Sequence, residues 1–262
     1  MKLAVFSHCA IDTITIDGNN YEQIGGSACY SGITARQFKF DVDLYTKFGP
    51  DFPKQYLDDD KINLVNSESQ KNTTKFAISI IGSDRTLKLE NECEKIDYSQ
   101  SDADAHLVSP IYHEISDEIF KKIKSDSNFL FVDPQGFLRR KDSQNNIFLE
   151  KTDLDLTNVD AIKVNLEESN QIVNGTHDEM MLALQKKGIK HVLLTDKTKV
   201  SLLVKDKIYS ITLPNQNIHD TTGIGDIFCS AFTCTMLKEK DFLWALCFAG
   251  GAAQAALESK NV

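Results

Sequence analysis

Gly223 and Gly225 stand one residue apart at the head of an apolar-faced run, and Asp226 follows them directly. In that order they read as a loop turning into a helix N-terminus. Glycine lets the backbone approach a ligand closely and relieves the φ restriction of a tight turn. The first N–H groups of such a helix have no intrahelical acceptor, and the helix dipole favours an anion in front of them. An aspartate repels that anion, which makes sense if Asp226 is a base working beside a phosphate. Phosphoryl transfer to an alcohol needs both parts, a cradle for developing negative charge and a carboxylate for the hydroxyl proton. The alternative is a glycine-containing loop before a core helix, with Asp220 as a cap. The flanking Asp220-Thr221-Thr222 and the trailing Asp226 favour the first reading.

The elements that must position these residues follow from hydrophobic spacing. Ile224, Ile227, Phe228, Ala231 and Phe232 recur at intervals of three and four and predict a helix packed along one face. Leu3–Phe6, Val42–Thr46, His106–Ser109, Phe129–Asp133, Ala161–Asn165 and His191–Thr195 are near-continuous apolar runs, as expected for a parallel sheet covered on both faces. Thr176-His177-Asp178-Glu179 reads as a capping box, and its helix stops at Gly188. Alternating strands and helices imply an α/β layered fold.

Two stretches break that rhythm. Residues 11–24 alternate around Asp17-Gly18, a hairpin signal, and residues 75–94 read as paired strands with Gly82-Ser83-Asp84 as the turn. Together they predict a small β flap. The tract at 141–146 reads as a solvated loop. With no internal repeat and no linker, residues 1–262 are expected to form one domain.

The chain has 262 residues, 41% hydrophobic and 26% charged, with a net charge of −9. That balance argues against a general nucleic-acid or anionic-membrane binder, though not against a phosphate site made of backbone amides. No apolar run approaches the roughly 20 residues that span a bilayer, and Met1–His8 reads as a buried strand rather than a signal peptide. The six cysteines form no C-x-x-C and read as buried reduced thiols. A cytoplasmic protein is expected.

Taken in order, the motifs resemble the ribokinase-like (PfkB) carbohydrate kinases. Asp220–Asp226 looks like the family's Asp-Thr-x-Gly-Ala-Gly-Asp signature, with Ile224 in place of Ala. Gly25-Gly26 with Ala28 and Gly32 resembles the first signature, and Asn165-Leu166-Glu167-Glu168 matches Asn-x-x-Glu. Asp133 with Arg139 is similar to the central aspartate–arginine pair, and Asp12 to the aspartate that binds substrate hydroxyls. The likeness runs from about residue 3 to 257. It implies a three-layer α/β sandwich with a mostly parallel sheet and a small lid of strands, at about 11–24 and 75–94.

The resemblance also implies roles. Asp226 would be the catalytic base, and the amides of Gly223, Ile224, Gly225 and Asp226 the anion hole. Asp12, Gly25, Gly26, Tyr30 and Arg139 would bind the acceptor, with Arg139 also holding a phosphate. Asn165, Thr195, Thr222, Gly223 and Gly225 would contact the nucleotide, and Glu168 would organise Mg²⁺ through water. Each has an ordinary alternative: Asn165 and Glu168 as a helix cap, Arg139 as solvated surface, Asp12 as a turn residue, Gly25-Gly26 as a helix entry.

The chain departs from the pattern at two places. Tyr30 stands where many members carry a sugar-binding Asn, and Thr195–Val200 lacks both glycines of the usual Thr-x-Gly-x-x-Gly. The first points away from ribose or fructose. The second puts nucleotide contacts there in question. Gly-Gly followed by small residues and an aromatic, with Asp133-Pro134-Gln135-Gly136-Phe137-Leu138-Arg139, is most similar to the compact inositol-kinase-like branch.

The reading is an ATP- and Mg²⁺-dependent kinase acting on a small polyhydroxylated substrate: a sugar, an inositol-like polyol or a nucleoside. The lid strands are a candidate homodimer contact. The rival from another class is a non-catalytic nucleotide- or sugar-binding regulator on the same fold. A dinucleotide-binding oxidoreductase is set aside, because residues 7–12 contain no glycine after the first strand.

Overall fold

The computed structural model describes residues 1–82, 84–214 and 220–260. The chain enters the core at once through β1 (Lys2–Phe6). A hairpin follows, β2 (Ala10–Ile16) and β3 (Asn19–Gly25). Asp17 and Gly18 close it with φ of 49° and 85°, and a two-residue turn with two positive φ values is what Asp-Gly favours. Next come α1 (Ser27–Gln37), β4 (Asp41–Tyr45) and β5 (Ile62–Val65). A second hairpin pairs β6 (Thr74–Ile81) with β7 (Asp84–Asn91). Of its expected turn, Ser83 lies outside the described residues.

The middle of the chain holds β8 (Ala105–Val108), α2 (Asp117–Asp126), β9 (Leu130–Val132), the single turn α3 (Gln135–Leu138), β10 (Arg139–Lys141) and β11 (Ile147–Leu149). The tract at 141–146 joins β10 to β11 as a loop. Then follow β12 (Ala161–Asn165), α4 (Leu166–Ile172), α5 (His177–Lys186) and β13 (His191–Asp196). The last described elements are β14 (Lys199–Val204), β15 (Lys207–Thr212), α6 (Ile224–Glu239) and α7 (Phe242–Ser259). The capping box of α5 forms as read, with the Thr176 backbone N–H and hydroxyl both donating to Glu179 Oε2 at 2.8 Å.

One nine-stranded sheet runs β15-β14-β13-β12-β9-β8-β1-β4-β5. Every pairing from β13 to β5 is parallel, while β14 and β15 add an antiparallel edge. The apolar runs of the parallel strands are continuous because alternate residues serve opposite faces. Leu3 and Val5 pack under α6 and α7 with Phe228, Phe232 and Leu246. Ala4 and Phe6 pack on the other face with Phe120, Ile123 and Met181 from α2 and α5. The fold is thus the expected three-layer sandwich with a mostly parallel sheet.

The two hairpins merge into a second sheet, β3-β2-β6-β7, through parallel pairing of β2 with β6. Its inner face, with Ile14, Phe76, Ile78 and Leu89, packs on Ile111 and Tyr112 just beyond β8. It therefore lies over one edge of the main sheet. That edge carries the strand C-termini, and β1 has β4 on one side and β8 on the other. At such a reversal of strand order the carboxyl ends leave a crevice in which α/β proteins bind ligands. No helix among the described residues is long and apolar enough to cross a membrane.

The cysteine reading needs one correction. Cys9, Cys29, Cys93, Cys229 and Cys234 are buried free thiols, but Cys247 is exposed. It lies on the exposed face of α7 with Leu243 and Gly251.

Candidate active site

The loop that leads into α6 is built before the helix begins. Asp220 Oδ1 accepts from the Thr222 N–H at 2.9 Å, and Lys260 Nζ ties Asp220 Oδ2 at 2.8 Å to the Thr222 carbonyl at 2.7 Å. Asp220 is therefore a cap for the loop. These hydrogen bonds hold its carboxyl below the usual range although burial pushes the other way. Gly223 is the helix N-cap, left-handed at φ 82°. Gly225 departs from expectation: it has ordinary helical backbone, so no φ restriction is relieved there. What it needs is room, because a Cβ at 225 would come within 3.1 Å of Lys163 Nζ.

Asp226 sits in the first turn of α6 and is buried. Ser109, just past β8, donates to its Oδ1 at 3.3 Å. Burial, reinforced by Asp133, pushes its carboxyl up to about 6, with Ser27, Lys163 and Ser109 opposing. A carboxylate of that strength beside a helix N-terminus is ionised at neutral pH and still basic enough to take a hydroxyl proton.

Asp12 lies on β2, half-way along the hairpin, and not in its turn. It is buried, and its Oδ1 has no hydrogen-bond partner among the described residues. Burial raises its pKa to about 6. Both Asp12 and Asp226 line a cavity of about 210 Å³, together with Gly26, Tyr30, Arg139 and Glu168. An unpartnered buried carboxylate oxygen at a cavity wall is a strong demand for a donor.

The first glycine pair divides its work. Gly26 caps α1 at φ 83°, where a Cβ would meet the His8 carbonyl oxygen at 2.3 Å. It is thus a helix entry as well as part of the wall. Gly25 was expected to bind the acceptor, but it stands behind Asp12 and outside the wall, and a Cβ there would approach Asp12 Oδ2 to 2.7 Å. Tyr30 lies on the wall, and Gln23 of β3 donates to its hydroxyl.

Asn165 and Glu168 form a reciprocal capping box at the start of α4. Asn165 Oδ1 accepts from the Glu168 N–H at 2.8 Å, and Glu168 Oε2 accepts from the Asn165 N–H at 2.9 Å. The cap reading is correct as local structure, yet both side chains also line the cavity. Arg139 is not solvated surface. Its guanidinium donates to the Ile111 carbonyl and to Gln135 Oε1, each at 2.8 Å, and stands over the Phe76 ring. Its neighbour Arg140 is the one that pairs outward, with Glu150 at 3.0 Å.

A second cavity of about 410 Å³ adjoins the first, with Lys163, Asn165, Thr221 and Gly225 shared between them. Thr195 and Ile224 line this one, among Val200, Leu213, Phe228 and Leu257. Thr222 and Gly223, expected to contact a nucleotide, line the first cavity instead. The segment Thr195–Val200 is a tight hairpin in which Asp196 pairs with Lys199. Lys197, at φ 52°, and Thr198 make its turn and reach the cavity wall in place of the glycines.

Three contributors escaped the sequence reading. Lys163 is buried on β12, 3.0 Å from Asp133 Oδ2. Burial alone would weaken its ammonium, but Asp133 and Glu168 more than restore it, so its pKa is raised. A lysine inside the apolar run Ala161–Asn165 was the available signal. Arg85 reaches from β7 to Thr222 Oγ1 at 3.3 Å, and no pattern in its strand marks it. Glu114 is buried and accepts from the N–H groups of His8 at 3.0 Å, Ile111 at 2.7 Å and Tyr112 at 2.7 Å, which shapes the turn that receives Arg139.

Residues 4–262 match the pfkB family carbohydrate kinase. No curated protein sequence matches the chain. Among solved structures, a pyrophosphate-dependent kinase in the ribokinase family, in its sulfate complex, is similar with a TM-score of 0.88 and 20% identity, covering 98% of this chain and 95% of the other. A pyrophosphate-dependent kinase of that family complexed with a pyrophosphate analogue and myo-inositol gives 0.86 and 18%, covering 98% and 95%. Arabidopsis thaliana ribokinase complexed with ribose and ATP gives 0.73 and 17%, covering 98% and 92%.

Proposed function

The chain belongs to the pfkB family of carbohydrate kinases, and from that premise we propose that it phosphorylates one hydroxyl of a small, inositol-like polyol. The observation that carries this reading is Asp226, a buried carboxylate raised to about 6 at the N-terminus of α6, on the wall it shares with the unpartnered Asp12. Asp12 accepts hydrogen bonds from acceptor hydroxyls, and Tyr30 walls that pocket. Asp226 takes the proton of the attacking hydroxyl. The amides of Gly223, Ile224, Gly225 and Asp226, with Lys163 and Arg139, stabilise the charge on the transferring group. The sheet formed by β3, β2, β6 and β7 excludes water. The cavity beside Asp12, about 210 Å³, suits one ring better than a nucleoside.

For the donor, the reading is ATP with Mg²⁺. The walls of the second cavity are apolar at Val200, Leu213, Ile224, Phe228 and Leu257, a surface that an adenine ring would use and pyrophosphate would not. Mg²⁺ keeps several waters and takes few carboxylates, so Glu168 on the cavity wall, together with donor phosphates, would be enough to hold it. Bound there, the ion would offset phosphate charge. Homodimerisation would use the lid strands at the edge of β3, because the edge of β7 is partly taken by Asn145 and Asn146.

A second reading is pyrophosphate as donor. The hairpin turn at Lys197-Thr198 favours it, because a cation stands where the family's glycines would admit a nucleotide, and two of the similar structures are pyrophosphate-dependent kinases. The test is a panel of polyols, sugars and nucleosides with ATP or pyrophosphate, followed by ³¹P NMR. A phosphorylated polyol supports the reading. Donor binding with neither hydrolysis nor a phosphorylated acceptor supports the non-catalytic regulator instead.

A further inference from the structure

Two guanidinium groups converge on the first cavity, one from each side of the crevice. Arg139 stands on the body of the fold, held by the Ile111 carbonyl and Gln135 Oε1, both uncharged. Arg85 comes from β7 of the covering sheet and touches Thr222 Oγ1 at 3.3 Å, one residue ahead of the left-handed Gly223. Among the described residues neither is ion-paired, although the surface cations Lys2, Lys54, Lys75 and Lys190 all are. Burial, and then the charge of Arg85, weaken the Arg139 guanidinium, so the two positive charges feel each other. The carboxylates of Asp12, Asp133, Glu168 and Asp226 on the same wall offset part of that charge, but none forms an ion pair with either guanidinium, so both forks stay open to a further anion.

The planar fork of arginine matches phosphate oxygens in pairs, and a charge-assisted pair of this kind is about twice as strong as a neutral hydrogen bond. Resting on the kinase reading above, we infer that Arg85 and Arg139 form a two-guanidinium subsite for a phosphoryl group, and that occupation of this subsite fastens β7 over the crevice. Thr222 holds Arg85 next to the anion loop, so the ligand lies between the covering sheet and the Gly223–Asp226 amides. The phosphoryl group has two sources: the one in transfer from the donor, or one already carried by the acceptor.

The test uses Arg85→Ala and Arg85→Lys in the full chain, with Gly223–Asp226 intact. Titration calorimetry with pyrophosphate and with inorganic phosphate reads the subsite directly. Arg85→Ala should weaken binding by roughly ten- to a hundredfold, and Arg85→Lys by less, since the charge remains but the fork is lost. Equal affinity in wild type and Arg85→Ala overturns the subsite. Kinetics separate the sources. A phosphoryl group in transfer predicts a lower kcat and a raised donor KM, with the acceptor KM unchanged. An acceptor phosphate predicts that phosphorylated polyols are preferred by the wild type and that Arg85→Ala abolishes the preference. Kinetics within twofold of wild type in both arms overturn the proposal. Should the wild type phosphorylate nothing, the kinase reading fails, and the calorimetric comparison still decides the subsite.

Discussion

The ring of Tyr30 lies against the backbone of Gly223: a Cβ placed at 223 would come within 2.6 Å of three of its ring atoms. Tyr30 also receives a hydrogen bond from Gln23 of β3. One side chain therefore joins the covering sheet, the acceptor wall and the anion loop. Gly223→Ala must add a methyl group into that ring and hold alanine at φ 82°. A cost of about 1–3 kcal/mol in stability is expected, with a large loss of kcat as the loop shifts. Tyr30→Ala in the same chain should recover part of the stability, because it removes the collision and leaves only the φ penalty. Denaturation of the two single variants and the double variant measures this. Additive effects would mean that the ring and the loop are not coupled.

Asp12 should govern the acceptor and leave the donor alone. Asp12→Ala removes the acceptor for substrate hydroxyls and should raise the acceptor KM by roughly 10²-fold or more, with the donor KM little changed. Tyr30→Asn should shift preference among polyols, sugars and nucleosides. Steady-state kinetics with either substrate varied decides it. A variant that loses donor affinity instead would reverse the two ends of the site.

The pH dependence has a definite sign. Asp12 and Asp226 each titrate at about 6 in the folded protein, above the ordinary 3.8. Activity should therefore fall as pH drops through 6, when base and hydroxyl acceptor are protonated together. Stability runs the other way. The folded state holds these protons more tightly than the unfolded one, so stability declines as pH rises from about 4 to 6 and is level above it. Asp226→Asn should be inactive at pH 8 yet more stable than the wild type by about 1–3 kcal/mol. Thermal unfolding at pH 5 and pH 8 checks it, and equal melting temperatures at pH 8 would contradict a charged, buried Asp226.

Lys163 is the cation that keeps Asp133 and Glu168 tolerable in the interior. Lys163→Met leaves those carboxylates without it and should cost about 3–5 kcal/mol at neutral pH. The loss should shrink at low pH, because burial raises the pKa of Glu168 and protonation removes its charge. A loss that is the same at pH 5 and pH 8 would mean that Lys163 acts by packing alone.

The sequence made most of the fold legible where one signal dominated. Continuous apolar runs marked β1, β4, β8, β9, β12 and β13, and Asp17-Gly18 marked the β2–β3 hairpin, because each is a local pattern. β14 and β15 were missed because Thr195–Val200 was read through its resemblance to a ligand loop, which hid the turn at Lys197-Thr198. The parallel pairing of β2 with β6 depends on contacts some sixty residues apart in the chain, and no local pattern carries that. Within the site, Asp226 could be found from its offset to the two glycines, whereas Asp12 and Arg139 were reached only through the family resemblance. Arg85 was reached by neither, since its position is set by how β7 folds over the crevice. The positive φ expected for Gly225 was assigned from residue type, and the helix begins one residue too early for it.

The claim that matters most is that Asp226 is the base, and one comparison tests it directly: kcat of Asp226→Asn against wild type, with donor affinity measured on the same samples. Asparagine keeps the shape and cannot take the proton. The expected result is a fall in kcat of roughly 10²–10⁴, with donor affinity within about twofold. Turnover near the wild-type rate would make Asp226 a first-turn helix residue and no more, and base catalysis from this position would be wrong.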